Sequence, residues 1–109
     1  MIPILSNARI FICNYPTSMK KSFEGLSNIV EQLFPGEIFS GAFFVFFNRQ
    51  RNHMKILLWD GDGFIIYYKR LEEGVFKWCF NNLKTIDRKS FLMILEGITP
   101  KKLEKRYVK

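Results

Sequence analysis

The clearest pattern in the chain is a helical stripe of apolar side chains in its first third. Thr17 or Ser18 can cap a helix, and the apolar residues after them follow at spacings of four, three, four, three and one: Met19, Phe23, Leu26, Val30, Leu33 and Phe34. We therefore predict an amphipathic helix that ends at Pro35 and Gly36. Gly25 costs this helix about 1 kcal/mol relative to Ala, so we expect a neighbouring group to pack closely there.

Runs of β-forming side chains predict strands on both sides of this helix. Four such runs lie between polar breaks: Arg9 to Cys13, Phe43 to Phe47, Met54 to Trp59 and Phe64 to Tyr68. The last three are joined by short segments rich in Gly, Asn and Asp, which favour hairpin turns, so we predict an antiparallel meander. A further turn at Gly74 leads to a predicted edge strand from Val75 to Trp78.

A second helix is predicted near the end of the chain. Asp87 can cap it, Gly97 and Pro100 are stop signals, and its apolar stripe consists of Phe91, Ile94, Leu95 and Ile98. Strands grouped between two helices are typical of an α+β fold. We expect an antiparallel sheet of about four to five strands with both helices packed on one face.

The charge of the chain is concentrated at one end. We assign residues 1–100 of the 109 to one domain and residues 101–109 to a basic tail. The formal charge is +7, and the tail holds 5 − 1 = +4 of it, from Lys101, Lys102, Lys105, Arg106 and Lys109 against Glu104. A basic balance favours a polyanionic partner, most often nucleic acid. The tail can also serve only to keep the chain soluble.

Several classes of function lack a motif in this sequence. No apolar run approaches the roughly 18 residues of a membrane helix, so we expect a cytoplasmic protein without a membrane partner. Cys13 and Cys79 are 66 positions apart, which supports neither a disulfide framework nor a zinc site. The Asp60 to Gly63 segment resembles a calcium loop, but Leu71 occupies the twelfth position, so a hairpin turn is the better interpretation. We expect no metal or other cofactor.

Acidic residues are also too few for a nuclease-like centre. Two-metal phosphoryl transfer needs several carboxylates around paired ions, whereas the chain has 10 acidic residues, most of them in turns or beside basic ones. Phosphate-binding loops, hydrolase elbows and Cys–His pairs are missing as well. We therefore expect a protein that is not an enzyme.

Blocks spread over residues 2–98 resemble the TnpB, or Orf2-like, proteins of the insertion-sequence 66 (IS66) family. In chain order they are Met1 to Ile4, Met19 to Leu26, Phe44 to Phe46, Lys55 to Gly63, Lys69 to Trp78 and Leu95 to Ile98. Their order and spacing carry the resemblance. The chain departs from the family pattern at Asn48, near a hairpin that usually contains Gly, and at Cys79, where Pro usually follows the Trp.

The resemblance implies an accessory role in transposition beside a separate transposase. The implied partners are DNA at the transposon ends, the transposase of the same element and another accessory protein. An alternative is an interaction module that binds the transposase without contacting DNA, through an exposed aromatic edge of the sheet. A relic without function is a third interpretation.

Two short segments are candidates for DNA contact. Lys20 and Lys21 fall in the first turn of the predicted helix, where free N–H groups and two ammonium groups can hold a phosphate. Arg49 and Arg51 lie in the polar hairpin, where arginines on a β-ribbon can contact phosphates or guanine. Gln50 and Asn52 can pair with adenine there, and His53 alone indicates only a strand-end histidine. Both segments can equally be solvated surface.

Three strand residues extend this candidate basic surface. Lys55 and Lys69 can continue it, and Arg70 can join them. The alternative for Lys69 to Glu72 is a solvated edge whose charges partly neutralise one another. The two Trp residues, Trp59 and Trp78, are interpreted as core or rim residues, although exposed aromatic rings can stack on unpaired bases.

Overall fold

The computed structural model describes residues 8–78 and 80–96, which form one sheet and two helices. The elements in chain order are β1 (Ile10–Ile12), α1 (Phe23–Leu33), β2 (Phe43–Phe47), β3 (His53–Trp59), β4 (Phe64–Arg70), β5 (Thr85–Ile86) and α2 (Arg88–Leu95). The sheet has the strand order β4-β3-β2-β1-β5. The predicted α+β fold is therefore confirmed, and so is the meander of β2, β3 and β4.

The sheet is antiparallel except where β1 meets β2. These two strands run parallel, with Ile10 beside Phe43 and Ile12 beside Val45. The chain passes through α1 between them, and a helical crossover brings the next strand back in the same direction. β5 closes the opposite edge by pairing with β1 in antiparallel orientation.

The two helices lie on opposite faces of the sheet, so the expectation that both pack on one face was wrong. α1 buries Leu26 and Val30 against Phe44 and Phe46, whereas α2 belongs to the cluster that contains Val45 and Phe47. All five side chains of β2 are buried. Because successive side chains of a strand point to opposite faces, a strand that is apolar at every position needs cover on both sides.

Helix α1 begins four residues later than its apolar stripe suggests. Ser22 is its N-cap and Phe23 its first residue. The backbone N–H of Thr17 donates to the Phe47 carbonyl (2.8 Å), which holds the preceding segment against the end of β2 and out of a helical conformation. The expected close contact at Gly25 is present: a Cβ there would lie 3.1 Å from the Lys21 Cβ.

The predicted strand from Val75 to Trp78 is not a strand, and the fifth strand is Thr85–Ile86 instead. Phe76 and Trp78 are buried in the core as strand residues would be. However, the Phe76 N–H donates to the Arg51 carbonyl (2.7 Å), so this segment bonds to the β2–β3 turn rather than to a ladder.

The ends of α2 and the β3–β4 turn follow the sequence prediction as far as they are described. The Asp87 carboxylate accepts a hydrogen bond from the Ser90 N–H (2.7 Å), and this bond holds the pKa of Asp87 below its usual value. The Asp60 N–H donates to the Gly63 carbonyl (2.8 Å), which closes a hairpin turn. Gly97, Ile98 and Pro100 lie outside the described residues.

Candidate nucleic-acid interface

Two loops that are distant in sequence face each other across a surface cleft of about 630 Å³. One is the segment from Pro16 to Lys20, and the other is the β2–β3 turn from Asn48 to Gln50. Lys20 and Arg49 are both exposed, and each lines the cleft from its own loop. Among the described residues that line it, none is Asp or Glu. The cleft is therefore a basic depression, and we call it the Lys20–Arg49 cleft.

The β2–β3 turn is held by the side chain of Asn48. Its Oδ1 accepts from the N–H groups of Asn52 and His53, both at 3.0 Å, and its Nδ2 donates to the Asn52 Oδ1 at 2.7 Å. Asn52 is thus engaged inside the turn and does not lie on the cleft. Gln50 is exposed on the rim, and its Oε1 accepts from Asn48 (3.4 Å). Of the two amides suggested for adenine, only Gln50 lines the cleft.

Arg51 turns away from the cleft and binds the protein itself. Its Nη1 donates to the Trp78 carbonyl at 2.6 Å, and its backbone has a positive φ of 61°. The assignment of Arg51 to the basic surface is therefore corrected: this guanidinium anchors the segment around Trp78. The turn presents one arginine, Arg49, to the cleft.

Lys55 is likewise structural, although its position in a basic stretch indicated an exposed cation. It is only 9% exposed, and its ammonium donates to the carbonyls of Met19 (2.9 Å) and Lys21 (2.8 Å). The same ammonium lies 5.0 Å from the centre of the Tyr68 ring, within the range of a cation–π contact. Lys55 therefore fixes the backbone on either side of Lys20 and so positions Lys20 at the cleft.

Lys20 and Lys21 precede α1, so the hypothesis of a phosphate held by the first helical turn is corrected. The Lys20 N–H donates to Ser18 Oγ and the Lys21 N–H to the Ser18 carbonyl, both at 3.2 Å. Lys21 is exposed but does not line the cleft, and the root of its side chain lies against Gly25. Lys20 is the lysine that the structure brings together with Arg49.

The cleft is also lined by a histidine–tyrosine pair, of which the sequence pointed only to His53. His53 Nδ1 and the Tyr68 hydroxyl are 2.7 Å apart. Tyr68 was not singled out from the sequence because nothing in a continuous apolar run distinguishes one tyrosine. The signal available was its register: Tyr68 pairs with Lys55 on β3, so it shares the face of the buried ammonium.

Lys69 and Arg70 do not join the cleft. Lys69 points to the opposite face, where its ammonium lies 3.4 Å from the Leu95 carbonyl at the end of α2. Arg70 forms an exposed ion pair with Glu72 (3.0 Å), as the solvated-edge alternative expected. The remaining candidates, Lys101, Lys102, Lys105 and Arg106, lie outside the described residues.

Within 8–78 and 80–96, the His, Cys, Asp and Glu side chains form no group of three or more that could hold a metal ion. Neither α1 nor α2 has the length and apolar character needed to cross a membrane.

The sequence profile of a known family matches nearly the whole chain. Residues 8–105 match the family described as IS66 Orf2 like protein. The chain belongs to this family. It is similar to two proteins of Sinorhizobium fredii (strain NBRC 101917 / NGR234) that carry the names uncharacterized protein y4hO and uncharacterized protein y4jC. The first is 32% identical over 72% of this chain and 68% of the relative, and the second is 25% identical over 93% and 88%. No solved structure matches the chain.

Membership of the IS66 Orf2-like family identifies the chain as an accessory protein of insertion-sequence transposition. The names of the two relatives assign neither a ligand nor a partner.

Proposed function

We propose that this IS66 Orf2-like protein binds the phosphate backbone of DNA through the Lys20–Arg49 cleft and so assists the transposase at the transposon ends. The observation that supports this proposal is the convergence of two exposed cations from separate loops on a depression that no carboxylate of the described residues lines. Cations collected in this way attract a polyanion and release its counterions on binding.

The two cations have complementary chemistry for phosphate. The planar guanidinium of Arg49 can donate two parallel hydrogen bonds to one phosphate, whereas the ammonium of Lys20 acts as a compact point charge. Gln50 on the same rim offers an amide that can donate and accept, which suits contact with a base edge. Phosphate contacts would fix the register of the protein on DNA, and Gln50 would add a limited preference for sequence.

The backbone around both cations is held in place before any ligand arrives. Lys55 binds the carbonyls on either side of Lys20, and Asn48 closes the turn that carries Arg49. A site that is already arranged loses less conformational entropy on binding than one that has to order its loops. This arrangement supports a binding role for the cleft rather than that of two unrelated solvated loops.

Fluorescence anisotropy with duplex and single-stranded DNA at two salt concentrations tests the proposal. Changing both Lys20→Gln and Arg49→Gln should weaken binding by roughly tenfold or more and reduce the slope of log K against log salt by about 2, one for each lost phosphate contact. The control carries Lys77→Gln and Lys84→Gln, which remove the same charge from exposed positions outside the cleft. An equal loss of affinity in the control would refute a site at the cleft.

A second candidate function is an interaction module that binds the transposase without contacting DNA. One observation favours it: Phe39, which is 62% exposed, packs against Trp59 and Phe64 at the end of the sheet edge, with ring centres 4.9 and 5.7 Å away. This alternative predicts no DNA affinity for the protein alone at either salt concentration. Capture of the protein by DNA only after the transposase is added would support it.

A further inference from the structure

Within residues 8–78 and 80–96, strand β4 has a neighbouring strand on one side of its backbone and none on the other. It is the outermost strand of the sheet, and β3 is its neighbour among the described residues. The Asp60 N–H donates to the Gly63 carbonyl, and the Leu71 N–H donates to the Asn52 carbonyl, each at 2.8 Å. Hydrogen bonding alternates along an antiparallel pair, so odd-numbered residues of β4 bond to β3. The even-numbered residues therefore direct their N–H and C=O groups outward: Phe64, Ile66, Tyr68 and Arg70.

Exposed aromatic rings flank this open edge at both ends. Tyr68 is 53% exposed near the end of β4, and Phe39 is 62% exposed beside Phe64 at its start. Both belong to the face of the sheet that carries α1, because Phe64 lies in that cluster and Tyr68 is four residues further along the same strand. Aromatic surface of this kind beside an unpaired strand is typical of a protein interface.

We propose that the β4 edge binds a second copy of this chain, with the two β4 strands pairing antiparallel about Ile66. This register places Phe64 opposite the partner copy's equivalent of Tyr68, and Asp62 opposite its equivalent of Arg70, each pair occurring twice. Ile66 meets its own equivalent at the twofold axis. The outward backbone groups of Phe64, Ile66 and Tyr68 then find partners across the axis, whereas Arg70 faces Asp62 in the turn that precedes β4.

The distribution of charge along β4 favours a second copy in this orientation. Cations at the end of an edge strand normally prevent edge-to-edge pairing. Here Lys69 and Arg70 stand at one end, and Asp60 and Asp62 stand in the turn at the other. Glu72 follows Arg70, and the Lys69 ammonium is directed to the opposite face, so Arg70 is the cation considered at this edge. A parallel pair would bring Arg70 against its own equivalent, whereas an antiparallel pair brings it to the acidic turn.

The charges and the aromatic rings favour the register about Ile66 over the one about Tyr67. Pairing about Tyr67 would also satisfy the outward backbone groups, but it would place Arg70 against Phe64 and Asp62 against Glu72. Pairing about Ile66 instead matches Asp62 with Arg70 and brings two aromatic rings together. The like charges that it opposes, Asp60 and Glu72, both lie outside β4. The exposed ion pair between Arg70 and Glu72 contributes little stability, so Arg70 can exchange it for an ion pair with the equivalent of Asp62 in the second copy.

Pairing of this kind would give a continuous ten-stranded sheet with both α1 helices on one side, because opposed residues of paired strands share a face. The two Tyr68 residues would lie roughly 14 Å apart along the strand direction, four residues at about 3.4 Å each. If the proposed DNA function holds, one DNA segment meets two Lys20–Arg49 clefts on the same side. The dimer itself does not rest on that function.

Sedimentation equilibrium of the full chain without DNA tests the dimer. The wild type should show a monomer–dimer equilibrium, and either Asp62→Lys or Arg70→Asp alone should raise the dimer Kd by roughly fivefold or more, because each creates two like-charge pairs. Combining both changes should restore a Kd within about twofold of the wild type, because the charges are then exchanged. Restoration excludes misfolding as the cause of the single effects.

A second variant tests the backbone. Ile66→Pro removes an outward N–H without removing a hydrogen bond to β3, so it should give a monomer whose circular dichroism matches that of the wild type. A wild type that stays monomeric at millimolar concentration overturns the proposal. A dimer whose Kd none of these substitutions changes would overturn it as well. If the wild type is a monomer and its β4 amides become protected from exchange only when the transposase is added, the edge binds the transposase instead.

Discussion

Arg51 combines an unfavourable backbone conformation with a side chain that the fold uses. A positive φ of 61° costs a residue with a Cβ about 1 kcal/mol or more relative to Gly. The hydrogen bond from its guanidinium to the Trp78 carbonyl outweighs that cost, since bonds from charged donors contribute about 1.5–3 kcal/mol. A Gly at position 51 would remove the strain but also the anchor.

Two truncations of Arg51 should separate these effects. Arg51→Ala loses the anchor and keeps the strain, whereas Arg51→Gly loses both, so the Gly variant should be about 1 kcal/mol the more stable of the two. Urea denaturation gives the two free energies of unfolding. At Arg49, whose φ is not positive, the Gly variant should not be more stable than the Ala variant. An Ala variant at position 51 as stable as the Gly variant would show that the backbone relaxes there.

At the scale of elements, Lys55 ties a loop to a strand. Its buried ammonium reaches two carbonyls of the segment before α1, and this segment carries Lys20 to the cleft. Lys55→Met keeps the length and the apolar stem of the side chain but removes the donor. We expect the segment to open locally while the sheet stays intact, because the core contacts of β3 lie elsewhere.

Amide hydrogen exchange measures that local opening. In Lys55→Met the amides of Lys20 and Lys21 should exchange roughly tenfold faster or more, which corresponds to the loss of hydrogen bonds from a charged donor. The amides of β3 should not change. Lys69→Met is the matched control, because Lys69 contacts the end of α2 instead. Unchanged exchange at Lys20 and Lys21 would mean that the segment is held by other contacts.

The elements that the sequence predicts well are those with a strong local pattern. The apolar runs of β2, β3 and β4 and the stripe of α1 are each long enough to outweigh competing signals. β5 has two residues, and it is a strand because it pairs with the edge of β1. The start of α1 is set by a bond from Thr17 to Phe47, a contact between residues thirty positions apart that no local pattern contains.

The candidate site was predictable in part for the same reason. Lys20 and Arg49 are exposed cations in polar loops, and composition identifies such residues. Whether a cation faces solvent or the protein depends on backbone geometry, which turned Arg51 and Lys55 inward. The placement of the two helices on opposite faces of the sheet could have been predicted, because the apolar run from Phe43 to Phe47 leaves neither face of β2 polar.

At the scale of the whole molecule, the predicted basic tail, residues 101–109, carries more than half of the net positive charge. The tail holds +4 of the net +7, so it should contribute most of the salt-dependent attraction to DNA regardless of sequence. The Lys20–Arg49 cleft should contribute less charge but a fixed geometry. Neutralising the tail should therefore lower affinity for all DNA alike. Changing the cleft should also reduce the difference between transposon ends and other duplexes, because the phosphate contacts of Lys20 and Arg49 hold Gln50 in register with the bases.

A tail variant carries Gln at four positions: Lys101, Lys102, Lys105 and Arg106. It should reduce the slope of log K against log salt for duplex DNA by up to about 4, whereas the cleft variant should reduce it by about 2. The two effects should add in a combined variant, because separate phosphates are involved. Anisotropy titrations with an end sequence and a scrambled duplex measure both the slope and the preference. If the tail variant lost the preference as well, or if the cleft change had no effect once the tail was neutral, the cleft would have no separate role in DNA binding.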